Sequence, residues 1–226
     1  MQTKWIRAAA IAGALGSAAT LASAGTVPLT SWTFGSGNTI NVATPAHNGP
    51  AGGFTGSISG FGALDSNSFH TYCVELTQYF NFSNPMTGYS ILTPGTYGEW
   101  GSNFAAIANR IGQLITYVNA NPTVVDTSGE STSLQLAIWN SIYDTDNSLS
   151  AGTFKDTSGF AGYATTLLAA SASTVSNLNV FVLANGNSQD FLVTTRVPEP
   201  GTLALMAAGF AGLGFSARRR RSKATA

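Results

Sequence analysis

The chain has one cysteine in 226 residues, two histidines, and charged side chains at only 9% of positions. Each scarcity excludes something. A single cysteine, Cys73, cannot close an internal disulfide, so no cystine framework holds this protein together. Basic residues are scarcer still through the middle of the chain. Between Gly25 and Val197 they are Arg110, Lys155 and Arg196, set against Asp65, Glu75, Glu99, Asp126, Glu130, Asp144, Asp146, Asp156 and Asp190. The formal net charge of zero therefore conceals an acidic central region with basic ends. Phosphate binding needs clustered Lys or Arg, so nucleic acid is not an expected partner.

Long apolar runs are confined to the two ends, and both read as addresses. Met1 to Ala24 has Lys4 and Arg7 in a positive n-region, a small and apolar run from Ala8 to Leu21, and Ala22-Ser23-Ala24 as a small-x-small cleavage site. At the other end stand Val197-Pro198-Glu199-Pro200, an uncharged run within residues 202–217, and Arg218-Arg219-Arg220-Arg221. Two prolines stiffen the backbone and deny it a place in helix or sheet. The apolar run followed by arginines predicts a short hydrophobic helix that enters a bilayer and leaves its basic end cytoplasmic. At about 1.5 Å per residue it reaches less than the ~30 Å hydrocarbon core unless the arginines snorkel. The order of Val-Pro-Glu-Pro, apolar helix and arginine cluster resembles the PEP-CTERM sorting signal of Gram-negative bacteria. That resemblance implies an exosortase as processing partner, cleavage near Pro198-Glu199-Pro200, an inner-membrane anchor before processing, and delivery to the cell surface or an extracellular polysaccharide matrix.

The expected organisation is therefore a signal peptide over residues 1–24, one exported domain over residues 25–196 and the sorting signal over residues 197–226. The domain is long enough for a real core. Ser31 to Phe34, Thr39 to Val42 and Phe54 to Phe61 alternate polar with apolar and predict strands, with Gly49-Pro50-Ala51-Gly52-Gly53 a loop. Phe69 to Phe82 is the richest strand material. From Asn103 the period changes: Phe104, Ile107, Ile111, Leu114 and Val118 predict an amphipathic helix. A polar loop over residues 126–131 precedes a second helix, from about Thr132 to Tyr143, with Leu134, Ala137, Ile138 and Ile142 on one stripe. Phe160 to Ala170 is a weaker third. Leu178 to Leu183 and Phe191 to Thr195 close the domain as strands joined at Asn185-Gly186-Asn187. The expected fold class is α+β, a β-rich sandwich or barrel with two to three inserted helices, plus the C-terminal hydrophobic helix.

Cys73 lies in Tyr72-Cys73-Val74-Glu75-Leu76, and a free cysteine there reads either as a small buried hydrophobe or as a reactive thiol. Gln135, between Leu134 and Leu136, reads either as a solvated residue at the edge of the helix's apolar face or as a buried carboxamide that needs a partner. His70 is three residues from Cys73, which on a strand sets the two on opposite faces, and His47 falls in a loop. A cysteine hydrolase thus has little to rest on. Asp144-Thr145-Asp146-Asn147 resembles the start of a calcium loop but lacks the following glycine and distal glutamate, so it reads as a polar turn. No metal, cofactor or turnover catalysis is expected.

Taken together, Tyr72-Cys73-Val74-Glu75-Leu76 and Gln135-Leu136-Ala137-Ile138-Trp139 resemble the thioester domains of bacterial surface adhesins over residues 69–144. In that family a cysteine condenses with the glutamine of a Thr-Gln-x-Ala motif. Here Leu134 replaces the threonine. The resemblance implies a Cys73–Gln135 thioester, shielded from water by Tyr72, Leu136 and Trp139 and used once to acylate an amine or hydroxyl on a partner. The alternative is a non-catalytic structural or glycan-binding matrix protein in which Cys73 stays a thiol.

Overall fold

A computed structural model describes residues 24–82 and 86–197. The expected signal peptide and the expected helix at residues 202–217 lie outside the described residues. In chain order the elements are β1 (Gly25–Thr26), β2 (Leu29–Trp32), β3 (Asn38–Thr44), β4 (His47–Ala51), β5 (Phe54–Ile58), β6 (Ser66–Thr71), β7 (Thr87–Leu92), α1 (Phe104–Ala120), α2 (Ser128–Tyr143), β8 (Lys155–Asp156), α3 (Ala161–Ser171), β9 (Leu178–Ala184) and β10 (Phe191–Arg196). The α+β class is observed, and none of the described helices is long and apolar enough to cross a membrane.

Strands pair in the orders β1-β7-β9-β10, β2-β5-β6 and β4-β3-β8. Single bridges, Thr26 to Ser59 and Cys73 to Phe191, tie the first two sheets together, and the result curls into a half-barrel. Gly56 lies at the tightest strand crossing. A Cβ there would sit 2.2 Å from the Pro28 carbonyl oxygen and 2.7 Å from Leu29 Cα. Only a residue without a side chain lets β5 lie this close to β2.

The helices enclose a single contiguous apolar core. Helix α1 buries Ile107, Ile111 and Leu114 at helical spacing. Helix α2 departs from the expected single stripe, because Ser131 to Ser141 are buried without a break. It is a central helix, and its polar residues act as pins. Ser131 Oγ accepts from Gly53 N at 2.8 Å, Thr132 Oγ1 donates to the Ala51 carbonyl at 2.8 Å, and Asn140 Nδ2 donates to the Ser148 carbonyl at 2.9 Å. Each bond relieves the cost of taking a polar group out of water.

Three expectations need correction. Helix α2 begins at Ser128, inside the stretch read as a polar loop. Thr127 and Glu130 form a capping box that satisfies the helix's first N–H groups. Residues 47–51 form strand β4 despite Pro50, because β4 is an edge strand where proline's missing N–H costs no ladder bond. Finally, β6 stops at Thr71, and residues 72–82 do not continue as strand. There the backbone bonds elsewhere: Val74 N donates to the Asp190 carbonyl at 3.1 Å, and Leu192 N to the Tyr72 carbonyl at 2.9 Å.

The Gly56 contact gives a direct test. Gly56→Ala should lower unfolding free energy by about 1–3 kcal/mol. Gly186→Ala, where nothing lies within 4 Å of the added Cβ, should leave it near the starting value. Urea unfolding followed by circular dichroism reads both.

Candidate functional site

Where the strand ends, helix α2 takes over its bonding. The Gln135 carboxamide accepts from the Cys73 backbone N–H through Oε1 at 2.8 Å and donates from Nε2 to the Cys73 carbonyl, also at 2.8 Å. Gln135 is 0% exposed and Cys73 is 6% exposed. The side chain thus does what a neighbouring strand would do, filling both backbone valences of one residue in a dry interior. The buried-carboxamide alternative is the one realised, and its partner is Cys73. Leu134 and Leu136, which flank it, are both buried.

The Cys73 thiol is held protonated. Burial pushes its pKa well up, and the negative charges of Glu75 and Asp190 push it further. A reactive thiolate requires the opposite surroundings. Glu75 and Asp190 are both buried and linked, since Asp190 N donates to Glu75 Oε1 at 3.3 Å. Tyr97 donates its hydroxyl to Asp190 Oδ2 at 2.7 Å, and Asn185 N donates to Asp190 Oδ1 at 2.6 Å. Burial, followed by the Glu75 and Glu99 charges, nevertheless raises the Asp190 carboxyl to about 6.

Cys73 lines a cavity of about 280 Å³ whose walls include Trp32, Phe54, Tyr79, Phe80 and Trp139, with Glu75 and Gln189 among its polar lining. His47 stands at its rim. Its ring stacks on Tyr79 at 5.8 Å and meets Trp139 edge-on at 5.8 Å. Burial lowers its pKa, against a backbone hydrogen bond at Leu76 that raises it. The placement of His47 in a loop is therefore corrected: it opens β4 and is half-buried. His70 faces away, exposed, with Nδ1 3.2 Å from Thr55 Oγ1. Trp139 is in the cavity wall. Tyr72 is not; its hydroxyl pairs with Ser131 Oγ at 3.2 Å, near the start of α2. Burial raises that phenol to about 12.

The second acidic turn carries no open site. Asp144 Oδ1 accepts from Thr145 N at 2.7 Å and Oδ2 from Phe154 N at 2.9 Å. Arg110 donates to the carbonyls of Asp144 and Asp146 and, at 3.0 Å, to Asn140 Oδ1. Both oxygens of the Asp144 carboxylate are thus taken up by the protein itself. Sequence reading missed His47, Gln189 and Asp190 as cavity and carboxylate partners. Glu75, two residues from Cys73, carried the nearest local signal.

Residues 196–221 match the PEP-CTERM protein-sorting motif. The motif implies an exported protein that an exosortase processes and that carries a C-terminal membrane anchor until then. No curated protein and no solved structure matched the chain. The likeness of residues 69–144 to a thioester domain gains nothing from these comparisons.

Two measurements follow. Gln135→Leu keeps the volume but strands the Cys73 N–H and carbonyl in a dry interior, and it should cost roughly 3 kcal/mol or more in denaturant unfolding. Asp190 titrates near 3.9 when unfolded and at about 6 when folded, so the folded state binds its proton more tightly. Its contribution to stability is complete below the unfolded value and is lost as pH rises through about 6. The urea midpoint should fall across that window, and Asp190→Asn should flatten the fall.

Proposed function

We propose that residues 25–196 form a surface-displayed domain in which Cys73 and Gln135 condense to an internal thioester that attaches the protein covalently, once, to a partner in the cell surface or extracellular matrix. The observation that carries this reading is the seating of the Gln135 carboxamide on Cys73 across 62 positions of sequence. In the condensation the Cys73 sulfur attacks Gln135 Cδ, the C–N bond breaks, and the thiol proton leaves with the amide nitrogen as ammonia. Proximity must supply most of the acceleration, since the thiol is held neutral. The Cys73 N–H already points at Oε1 and would stabilise the oxyanion of the tetrahedral intermediate. Water exclusion by the surrounding aromatic walls would preserve the product until an amine or hydroxyl enters the cavity. Acyl transfer to that group would then release the Cys73 thiol.

A second reading has an observation of its own. The carboxamide is fully bonded as it stands, and losing Nε2 as ammonia would strip the Cys73 carbonyl of its donor, at roughly 1–3 kcal/mol. On that reading Gln135 is a permanent clasp and the domain is a non-catalytic structural or glycan-binding component of the matrix.

Intact mass decides between them. The thioester predicts a purified protein lighter by one ammonia, a mass gain equal to methylamine on treatment with it, and neither effect in Cys73→Ala. A mass equal to that of the plain processed sequence, with Cys73 freely alkylated on unfolding, leaves the clasp.

A further inference from the structure

The cavity beside Cys73 has chemical features that neither bond formation nor folding explains. Its volume of about 280 Å³ lies at the small end of ligand sites, enough for one compact head group. Aromatic rings of Trp32, Tyr79, Phe80 and Trp139 line it, and the one carboxylate in its wall is that of Glu75. Among the described residues no lysine or arginine lines it. Among the described residues Arg110 is committed to the turn at Asp144–Asn147, Lys155 lies on β8 and Arg196 ends β10. The potential inside is therefore negative, and Cys73 registers it, since Glu75 and Asp190 both oppose ionisation of its thiol. Aromatic faces add to that sign, because their quadrupoles attract cations.

The second observation is a donor without an acceptor. Trp139 is 3% exposed and lines the cavity, yet its indole Nε1–H has no hydrogen-bond partner. Buried tryptophan N–H groups usually find one. Trp139 stands one helical turn after Gln135 and on the same side of α2. Glu75 does not supply the acceptor: its carboxylate receives Thr77 Oγ1 and Asp190 N instead.

We propose that this cavity binds a small organic ammonium ion that also carries an acceptor oxygen, its charged head set against the aromatic rings and Glu75 and its oxygen receiving the Trp139 N–H. The site does not require the thioester, and it exists whether Cys73 is acylated or free. Intact mass settles the bond; ligand titration settles this site, so the two readings fail separately.

The probe is choline, titrated by calorimetry into the purified protein, beside its uncharged isostere with carbon in place of nitrogen, and beside glucose. Choline should bind, with the isostere at least roughly fivefold weaker. Trp139→Phe keeps an aromatic ring and removes the N–H. It should weaken choline roughly threefold to tenfold in a protein that still unfolds in one cooperative transition above the titration temperature. Glu75→Gln should erase the preference for choline over the isostere. No choline binding at millimolar concentration, equal binding of choline and isostere, binding of glucose alone, or unchanged affinity in Trp139→Phe would each overturn the proposal.

Discussion

The structure turns on one side chain standing in for a strand. At Cys73 the chain has left β6 and is bridged to Phe191 of β10 on one side, so the N–H and carbonyl of Cys73 itself lack a ladder on the other. Gln135 supplies both missing bonds, each at 2.8 Å, from a helix that is buried along its middle. The remaining backbone groups nearby are met by β10, through Val74 N to Asp190 O and Leu192 N to Tyr72 O. Cys73 is therefore the point at which the half-barrel, the central helix and the last hairpin are fixed to one another. A carboxamide suits this place because it offers one donor and one acceptor in the same plane, matching a peptide edge. A carboxylate would lack the donor and would carry a charge into a dry interior.

That same clasp sets the chemistry open to the thiol. It brings a carboxamide carbon close to Cys73 while the surrounding carboxylates keep the sulfur protonated. The two effects oppose each other, and they have different ranges. Proximity acts on one intramolecular step and is worth as much as ~7–11 kcal/mol when orientation is right. Suppressing the thiolate acts on every reaction the thiol could undergo with small reagents in solution. The arrangement thus disfavours indiscriminate thiol chemistry. The Cys73 N–H to Oε1 bond has the polarity of a permanent clasp, and the proposed attack would need that same polarity.

Much of the fold is legible in sequence where a single period governs. Ile107, Ile111 and Leu114 mark α1, alternation marks β3 and β5, and short apolar-rich runs on either side of an Asn-Gly-Asn turn mark β9 and β10. Legibility fails where two signals compete. Glycine and proline in His47–Ala51 spell a loop, yet pairing with β3 along an edge makes a strand. Phe69 to Phe82 has strand composition, but its second half packs as irregular chain with Phe80 and Phe82 in a ring cluster at 5.2 Å. In α2 the pins Ser131, Thr132 and Asn140 hide the fact that the helix is buried all round. At the site, Cys73 and Gln135 were readable through a motif resemblance. Asp190 and His47 were not, because their partners lie far away in sequence: Asp190 meets Glu75 across 115 positions.

The scarcity of basic residues links the ends of the chain to its centre. Seven of the ten lysines and arginines lie in the first seven residues or after Val197, the latter mostly within the sorting motif. The domain between them is left with buried carboxylates that cannot be neutralised by ion pairs with nearby bases. Asp190 is served instead by Tyr97 and the Asn185 backbone, and Glu75 by Thr77 and the Asp190 backbone. Neutral donors stabilise a carboxylate but leave its charge in place, whereas a paired arginine would cancel the field beyond a few ångströms. The cavity over Cys73 keeps its negative potential for that reason. Its electrostatics follow from the scarcity of bases between Gly25 and Val197, and a site built on the fold inherits it.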